Sequence, residues 1–241
     1  MPGYGKSMGP DRSAGGAGEH LEGSVVMGST DDYAASPYPG RRPRRAFVQA
    51  DRQVLGLSRR LDRSWGLAHP DLSLDDWLSE RGEVGLQGRS PLLCYGSNAC
   101  PGKLQQLRDR MRLPGVIVMT PCTLSGLAAA WCAGTRHLDG AVPATLVTAR
   151  GSEQHFLWWV TPEQWPVLDR CEGAGARYEL VVLAAEHVHH DLGGPVGHAR
   201  AYVGVGADRQ PLADGQGRPL LVRNVDQASA RRALRASAAQ R

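Results

Sequence analysis

The stretch that organises this chain is Pro91-Leu92-Leu93-Cys94-Tyr95-Gly96-Ser97-Asn98-Ala99-Cys100-Pro101. Its first half is an apolar run of strand length, and Gly96-Ser97-Asn98 is turn chemistry that must end the strand. Pro101 lies where a first helical residue is favoured, and Leu104 and Met111 follow at helical spacing. A turn of this kind gathers backbone N–H groups that can bind an anion, although an ordinary connection that binds nothing could have the same residues.

Composition limits the classes of protein to consider. The chain has 241 residues and a formal net charge of +4, a mild basic excess from which we expect no nucleic-acid partner. Its five cysteines are an odd number without a C-x-x-C pair, which favours reduced thiols and a cytoplasmic location. No apolar run has the length of a membrane span, and the first residues lack a signal-peptide pattern, so we expect neither membrane insertion nor secretion. The oligomeric state is not predicted.

Uneven composition predicts four segments. Residues 1–45 are rich in Gly, Pro and Arg and lack apolar periodicity, which predicts a disordered tail. Residues 46–88 have an apolar pattern that we interpret as a helical preface. Residues 89–205 form the main domain, and residues 206–241 form a polar, Arg-rich extension with a helix-like stretch near its end. The arginines of 41–45 could contact nucleic acid or anionic lipid, but no aromatic residues interleave with them, and a solvated linker is the favoured interpretation.

The main domain is predicted to consist mostly of strands. Five β-prone runs follow the opening strand, at 116–119, 140–147, 154–160, 178–183 and 198–203, and residues 123–131 are ambiguous between strand and helix. Gly151-Ser152-Glu153-Gln154 has the composition of a hairpin turn. The expected fold class is therefore α+β, mainly β, with a closed or nearly closed sheet.

A short helix interrupts these strands and carries the second motif, Leu168-Asp169-Arg170-Cys171-Glu172-Gly173. Thr161-Pro162-Glu163-Gln164 resembles a capping box, but Pro166 could move the true start one turn later. Glu172 lies in the last turn, four residues after Leu168 and on the same face. The helix dipole disfavours negative charge there, so the position is unusual for a carboxylate unless it has a function. A solvent-facing glutamate at a helix end is the alternative.

Together the two motifs resemble the gamma-glutamylcyclotransferase-like family. The resemblance rests on Tyr95-Gly96-Ser97-Asn98 after an apolar strand and on Leu-Asp-x-x-Glu-Gly some seventy residues later, followed by Tyr178 and a strand, and it covers about residues 90–205. It implies a small β-barrel with a few flanking helices and no metal or organic cofactor. It also implies that Tyr95, Gly96, Ser97, Asn98 and Tyr178 bind the substrate and that Glu172 is the catalytic acid/base. The chain departs from the family pattern at Ala99-Cys100-Pro101, where Leu or Met is common.

The activity that this resemblance implies is release of 5-oxoproline from a gamma-glutamyl amide, a cofactor-free acyl transfer or lyase reaction. The substrate carries its own nucleophile, the α-amine, and holding it curled makes the attack intramolecular. The small-molecule leaving group is not identified by the sequence, and a gamma-glutamyl group on a carrier protein would use the same residues. The alternative is a non-catalytic binding module on the same barrel.

Several other residues are candidates for chemistry. His187 and His189 lie on one face of a predicted strand and could share a metal, but two imidazoles and a nearby carboxylate are too few to specify a site. Cys94 and Cys171 adjoin the proposed site, and we expect both to be buried, unreactive thiols. Arg177 could recognise a carboxylate of the leaving group or face water.

Overall fold

The computed structural model describes residues 26–67, 72–190, 194 and 196–239. Strands dominate this part of the chain and four α-helices accompany them. The strands are β1 Val26–Ser29, β2 Phe47–Ala50, β3 Gln53–Arg59, β4 Trp65–Leu67, β5 Ser90–Cys94, β6 Ile117–Trp131, β7 Ala144–Val160, β8 Tyr178–Val182, β9 Val188–His190 and β10 Arg200–Gly204. The helices are α1 Leu74–Ser79, α2 Pro101–Met111, α3 Trp165–Glu172 and α4 Gln227–Ala239. None of these helices is both long enough and apolar enough to cross a bilayer.

The strands form one sheet, in the order β1-β3-β2-β6-β7-β5-β10-β8, with β4 on β3 and β9 on β6. The described pairs are antiparallel except for β5 with β10, which meet in parallel at Leu92 and Arg200. The predicted α+β, mainly β class is confirmed. The path of strand pairs ends at β1 and β8, which do not pair with each other within the described ranges. The sheet is therefore open, and the word barrel fits it only loosely.

The predicted strand, turn and helix around residues 91–101 are confirmed. β5 lies between β7 and β10, so both its edges are paired. Leu92 and Cys94 pack with α2 and α3 on one face, and Leu93 packs with β6 and β7 residues on the other. The run was apolar throughout because both faces are buried. α2 begins at Pro101 as expected. α3 begins at Trp165, directly after the capping-box residues 161–164 and one turn later than a cap at Thr161 would place it.

The two longest strands, β6 and β7, correct two predictions. Residues 123–131, ambiguous in the sequence, are strand. The hairpin turn predicted at 151–154 is wrong, because β7 runs without interruption from Ala144 to Val160. Gly126 and Gly151 have φ of 72° and 90°, and the β6–β7 register shifts between Ser125 and Leu127. Glycine here marks an irregularity within a strand pair rather than its end. The true connection spans residues 132–143.

The helical preface predicted at 46–88 is also wrong for most of its length. β2 and β3 form an antiparallel hairpin there, and β4 extends it. Phe47 and Val54 point into one core cluster while Val48 and Leu55 point into another. A strand that is buried on both faces lacks the usual alternation of apolar and polar residues. The spacing of the apolar residues here resembled the apolar stripe of a helix. Only α1, with its Ser73 cap, agrees with the expectation.

The predicted disordered tail needs a partial correction. Its residues 1–25 lie outside the described part of the chain, but residues 26–45 belong to the fold. β1 pairs with β3, and Tyr33 and Tyr38 are buried. The Cys100 thiol lies 3.4 Å from the Tyr33 carbonyl oxygen, which fixes this segment against the start of α2. Two large aromatic side chains thus anchor a stretch whose small and polar residues predicted disorder.

The segment after residue 205 packs on the end of the β6–β7 pair. The Trp131 indole donates to the Val225 carbonyl at 2.8 Å, and Leu212 and Ala230 share the buried cluster that contains Trp131. The helix-like stretch predicted near the end is confirmed as α4.

A buried carboxylate ties this segment to the sheet. The side chain of Glu153 is 7% exposed and contacts His155 Nε2 at 2.9 Å, the Ala129 N–H at 3.0 Å and Arg223 Nη1 at 3.3 Å. Burial by itself raises the pKa of Glu153, but the hydrogen bonds from His155 and Ala129 and the charge of Arg223 outweigh it, and the pKa is lowered. The ionised form is therefore the one that the fold stabilises.

Replacing Glu153 by glutamine should lower the free energy of unfolding at pH 7 by about 1–3 kcal/mol, because buried donors lose a charged acceptor. A lowered folded-state pKa adds stability above the unfolded pKa, near 4.5, and this stability is lost as the pH falls through the folded value. The difference between wild type and Glu153→Gln should therefore shrink below about pH 4. Urea titrations between pH 3 and 7 measure it, with the exposed Glu179→Gln as the control. A difference that stays constant down to pH 3 would contradict this account of Glu153.

Candidate active site

The turn after β5 approaches the N-terminal segment very closely. Ser97–Ala99 form one turn of 3₁₀-helix, and α2 starts two residues later. A Cβ on Gly96 would lie 2.7 Å from the Tyr38 hydroxyl oxygen, so only glycine fits unless Tyr38 moves. Ser97 is buried, and its Oγ lies 3.4 Å from Arg136 Nη1. The turn is therefore enclosed by segments on both sides of it in the sequence.

Glu172 meets this turn directly. It is the last residue of α3, partly buried, and Gly173 ends the helix in the left-handed conformation at φ 67°. The Asn98 side-chain amide donates to Glu172 Oε1 at 2.9 Å. The other carboxylate oxygen, Oε2, has no hydrogen bond to the described residues. The two sequence motifs, seventy residues apart, are thus joined by a side-chain contact that leaves one carboxylate oxygen available.

Arg177 completes the end of α3. Its guanidinium donates to the carbonyls of Cys171 and Glu172 at 3.0 and 3.2 Å. A cation at a helix C-terminus satisfies free carbonyls and complements the helix dipole. Neither of the two roles that the sequence left open for Arg177 describes this contact, which holds the backbone of Glu172 in place.

The turn, the ends of α2 and α3 and the 132–143 connection enclose one cavity of about 380 Å³. All six predicted site residues line it: Tyr95, Gly96, Ser97, Asn98, Glu172 and Tyr178. Further lining side chains come from the N-terminal segment, the 132–143 connection and the C-terminal segment, and include Tyr38, Lys103, Arg136, Tyr202 and Arg209. Trp158 and Trp159 are absent from the lining.

Three of the four tyrosine hydroxyls at the cavity donate hydrogen bonds within the fold. Tyr95 donates to the Tyr202 carbonyl, Tyr178 to the Ala144 carbonyl at 3.2 Å, and Tyr202 to Asp169 Oδ1 at 2.7 Å. Burial raises the pKa of all three above the ordinary value of tyrosine. They remain neutral phenols at physiological pH and shape the cavity walls.

The two thiols at the cavity are not activated nucleophiles. Burial raises the pKa of Cys171 to about 11, with a further increase from the neighbouring Glu172 charge, and burial also raises the pKa of Cys94. A thiol is nucleophilic as the thiolate, so both side chains are unreactive near neutral pH. This agrees with the expectation of unreactive thiols, and Cys94 is buried as expected, whereas Cys171 is only partly buried.

Several lining residues were not predicted from the sequence, among them Tyr38, Lys103, Arg136 and Arg209. Tyr38 belongs to the segment predicted to be disordered, and Arg209 to the extension without a predicted role. Arg136 lies in the 132–143 connection, and the sequence suggested no role for it. Only Lys103 had a feature in the sequence that could have identified it as a site residue. It is one of two lysines in an Arg-rich chain, and it lies in the first turn of a predicted helix, where the dipole disfavours a cation.

The histidines near β9 serve local structure. His187 Nδ1 lies 2.8 Å from the Ser125 carbonyl oxygen, and His189 Nε2 lies 2.9 Å from the Glu186 carbonyl oxygen. Across the described ranges, no group of three or more His, Cys, Asp or Glu side chains has a geometry that could hold a metal ion.

Comparison with known proteins gave matches among solved structures only. No family model matches the chain, and no curated protein matches it significantly. A structure titled gamma-glutamyl cyclotransferase is 19% identical over 53% of this chain and 73% of its own, with a TM-score of 0.40. An uncharacterized protein of Homo sapiens is 18% identical over 54% and 74%, with a TM-score of 0.41. YkqA from Bacillus subtilis is 10% identical over 80% and 66%, with a TM-score of 0.40. At these values the function has to be argued from the site itself.

Proposed function

We propose that this protein is a gamma-glutamyl cyclotransferase of the gamma-glutamylcyclotransferase-like family, acting on a small-molecule gamma-glutamyl amide. The observation that carries the proposal is the hydrogen bond from Asn98 to Glu172 inside the cavity. It joins the anion-binding turn to a carboxylate whose second oxygen is available to a ligand. A pure binding module has no need for a positioned carboxylate beside that turn. The cytoplasmic location remains a prediction.

In the proposed reaction, Glu172 takes a proton from the substrate's α-ammonium group. The free amine attacks the γ-carbonyl carbon, and a five-membered ring forms. Backbone N–H groups of Gly96, Ser97 and Asn98 stabilise the charge that develops on the carbonyl oxygen or hold the α-carboxylate. Glu172 returns the proton to the departing nitrogen as the C–N bond breaks, releasing 5-oxoproline and an amine or amino acid. No covalent enzyme intermediate is needed, in agreement with the protonated thiols of Cys94 and Cys171.

Preorganisation is the largest contribution expected from the cavity. Holding the flexible gamma-glutamyl chain in a curled conformation turns a slow encounter into a unimolecular step, an effect that can supply roughly 7–11 kcal/mol of the barrier. The rigid, hydrogen-bonded tyrosines and the buried turn are suited to impose that conformation. The enzyme then needs only one proton carrier.

The proposal is tested by incubating the protein with gamma-glutamyl amino acids, gamma-glutamyl amines and glutathione, and measuring both 5-oxoproline and free glutamate. We expect 5-oxoproline, without glutamate, from at least one substrate. Release of glutamate in its place would indicate hydrolysis by water. A folded protein that turns over no member of the panel would overturn the proposal and favour the binding module.

A further inference from the structure

Lys103 is a buried cation without an anion. Its side chain lies in the first turn of α2, lines the cavity and is 8% exposed. No carboxylate of the described residues forms an ion pair with it. Burial of an unpaired ammonium is costly, and the positive end of the helix dipole adds to the cost. A carboxylate on a bound ligand would relieve both.

Lys103 also begins a row of cavity-lining residues on α2. Gln106, Leu107 and Arg110 follow at positions i+3, i+4 and i+7, and all of them line the cavity. The row rises about 10 Å along the helix, from the buried turn to exposed Arg110. Arg170 of α3 is exposed and lines the same cavity. Within the described ranges, neither Arg110 nor Arg170 forms an ion pair with a carboxylate.

The remaining cations of the cavity are already occupied. Arg136 pairs with Asp139 at 3.3 Å, Arg209 pairs with Asp208 at 2.6 Å, and Arg177 bonds to the carbonyls at the end of α3. Of the described side chains that line the cavity, Glu172 is the only carboxylate. A cavity with this excess of positive charge favours a ligand with more than one negative group.

We propose that Lys103 binds the α-carboxylate of the gamma-glutamyl group and that Arg110 and Arg170 select a leaving group with a side-chain carboxylate, so that the preferred substrates are gamma-glutamyl conjugates of acidic amino acids or of peptides with acidic side chains. This inference rests on the proposed function. The α-carboxylate shares its carbon with the ammonium group that Glu172 deprotonates, so its binding group must lie near Glu172. Lys103 and Glu172 line the same cavity, together with Cys171.

The test uses three substrates that differ in one carboxylate each: gamma-glutamyl-glutamate, gamma-glutamyl-glutamine and 4-aminobutyryl-glutamate, which lacks the α-carboxylate. For wild type we expect kcat/KM to fall about two- to tenfold on replacing the leaving glutamate by glutamine, as partly exposed charges are worth little. We expect a fall of about ten- to 100-fold on removing the α-carboxylate, because a buried charge-assisted contact is stronger.

The variants assign each carboxylate to its partner. Lys103→Met keeps most of the length of the unbranched side chain and removes its charge. It should raise KM for gamma-glutamyl-glutamate about ten- to 100-fold and should remove the discrimination against 4-aminobutyryl-glutamate. It should unfold at the same or a higher temperature than wild type, whereas a merely structural lysine would leave a less stable protein. Arg110→Gln and Arg170→Gln together should remove the preference for glutamate over glutamine as the leaving group. Arg112→Gln, at the exposed end of α2 and outside the cavity lining, is the matched control.

The outcomes separate this inference from the proposed function. Turnover of all gamma-glutamyl substrates without discrimination, or discrimination that survives the variants, would overturn the inference alone. Calorimetric binding of gamma-glutamyl-glutamate to Glu172→Gln is independent of turnover. If wild type releases no 5-oxoproline, but Glu172→Gln binds gamma-glutamyl-glutamate and adding Lys103→Met abolishes this binding, the carboxylate site is supported and the proposed chemistry is overturned. Absence of both binding and turnover would overturn both proposals.

Discussion

Replacing Glu172 by glutamine should lower kcat for 5-oxoproline release by about 10²- to 10⁴-fold, the range expected for loss of a general acid/base. Glutamine has the size of glutamate and its carbonyl oxygen can still accept from Asn98, so the contact between α3 and the turn survives. It cannot take the proton from the α-ammonium. The affinity for substrate should change much less than kcat, because the proposed carboxylate-binding groups are intact.

A matched control for this variant is Glu179→Gln, which removes one exposed carboxylate from β8 outside the cavity lining. It should retain the wild-type rate. Steady-state kinetics with quantified 5-oxoproline, together with a denaturation curve for each protein, separate a catalytic loss from a folding defect. If Glu172→Gln turned over substrate as fast as wild type, Glu172 would not be the proton carrier.

Replacing Gln164 by leucine should destabilise the protein by about 2–5 kcal/mol. Gln164 is fully buried beside the start of α3, and its Oε1 accepts from the Trp158 indole and from the Thr161 N–H, both at 3.1 Å. Its Nε2 donates to the carbonyls of Pro114 and Val116 at 3.0 and 3.3 Å. Leucine keeps the volume but leaves these buried groups without their partner, at a cost of about 1–3 kcal/mol for each group that finds no other.

The urea midpoint and slope for Gln164→Leu measure this loss. Gln210→Leu is the control, because Gln210 is exposed and makes a single side-chain bond, to the Val205 carbonyl at 3.2 Å. Its effect should stay within about 1 kcal/mol. Since Gln164 fixes the first turn of α3 and Glu172 ends the same helix, a partly folded Gln164→Leu protein should also lose activity. Equal stability of the two variants would show that this network contributes nothing to the fold.

The motifs that depend on local chemistry could be predicted from the sequence. The strand, turn and helix at 91–101 depend on an apolar run, three turn residues and Pro101, all close in sequence. The end of α3 depends on Gly173, which only needs to adopt the left-handed conformation. That Glu172 lies at a helix end on a core-facing side also followed from spacing.

The elements that depend on distant contacts could not be predicted in the same way. β2 and β3 are buried on both faces because later strands and α1 cover them. Their sequences therefore lack the alternation of apolar and polar residues that identifies a strand. Residues 26–45 are ordered by docking against α2, a contact across more than sixty residues of sequence. Gly151 belongs to a continuous strand because β6 pairs with β7 on both sides of the register shift, at Ser125 with Ser152 and at Leu127 with Thr148. Composition alone does not show this pairing.

The same distinction applies to the site. Asn98 and Glu172 were predicted to act together, but the bond between their side chains depends on how α3 packs beside the turn. Arg136 and Arg209 reach the cavity from segments that carry no motif, so no local pattern could assign them. The ligand-binding role proposed for Lys103 depends on its burial and on the absence of a carboxylate partner among the described residues. Both are properties of the tertiary structure.

The central claim is that the substrate's own α-amine is the nucleophile. The most direct test compares a gamma-glutamyl amide that the protein turns over with its N-acetyl derivative, in which the amine is blocked and the γ-amide is unchanged. The account predicts release of the leaving amine with stoichiometric 5-oxoproline from the first compound and none above background from the second. Release of the same amine from the acetylated compound at a comparable rate would contradict intramolecular attack and indicate that water or a protein group cleaves the bond.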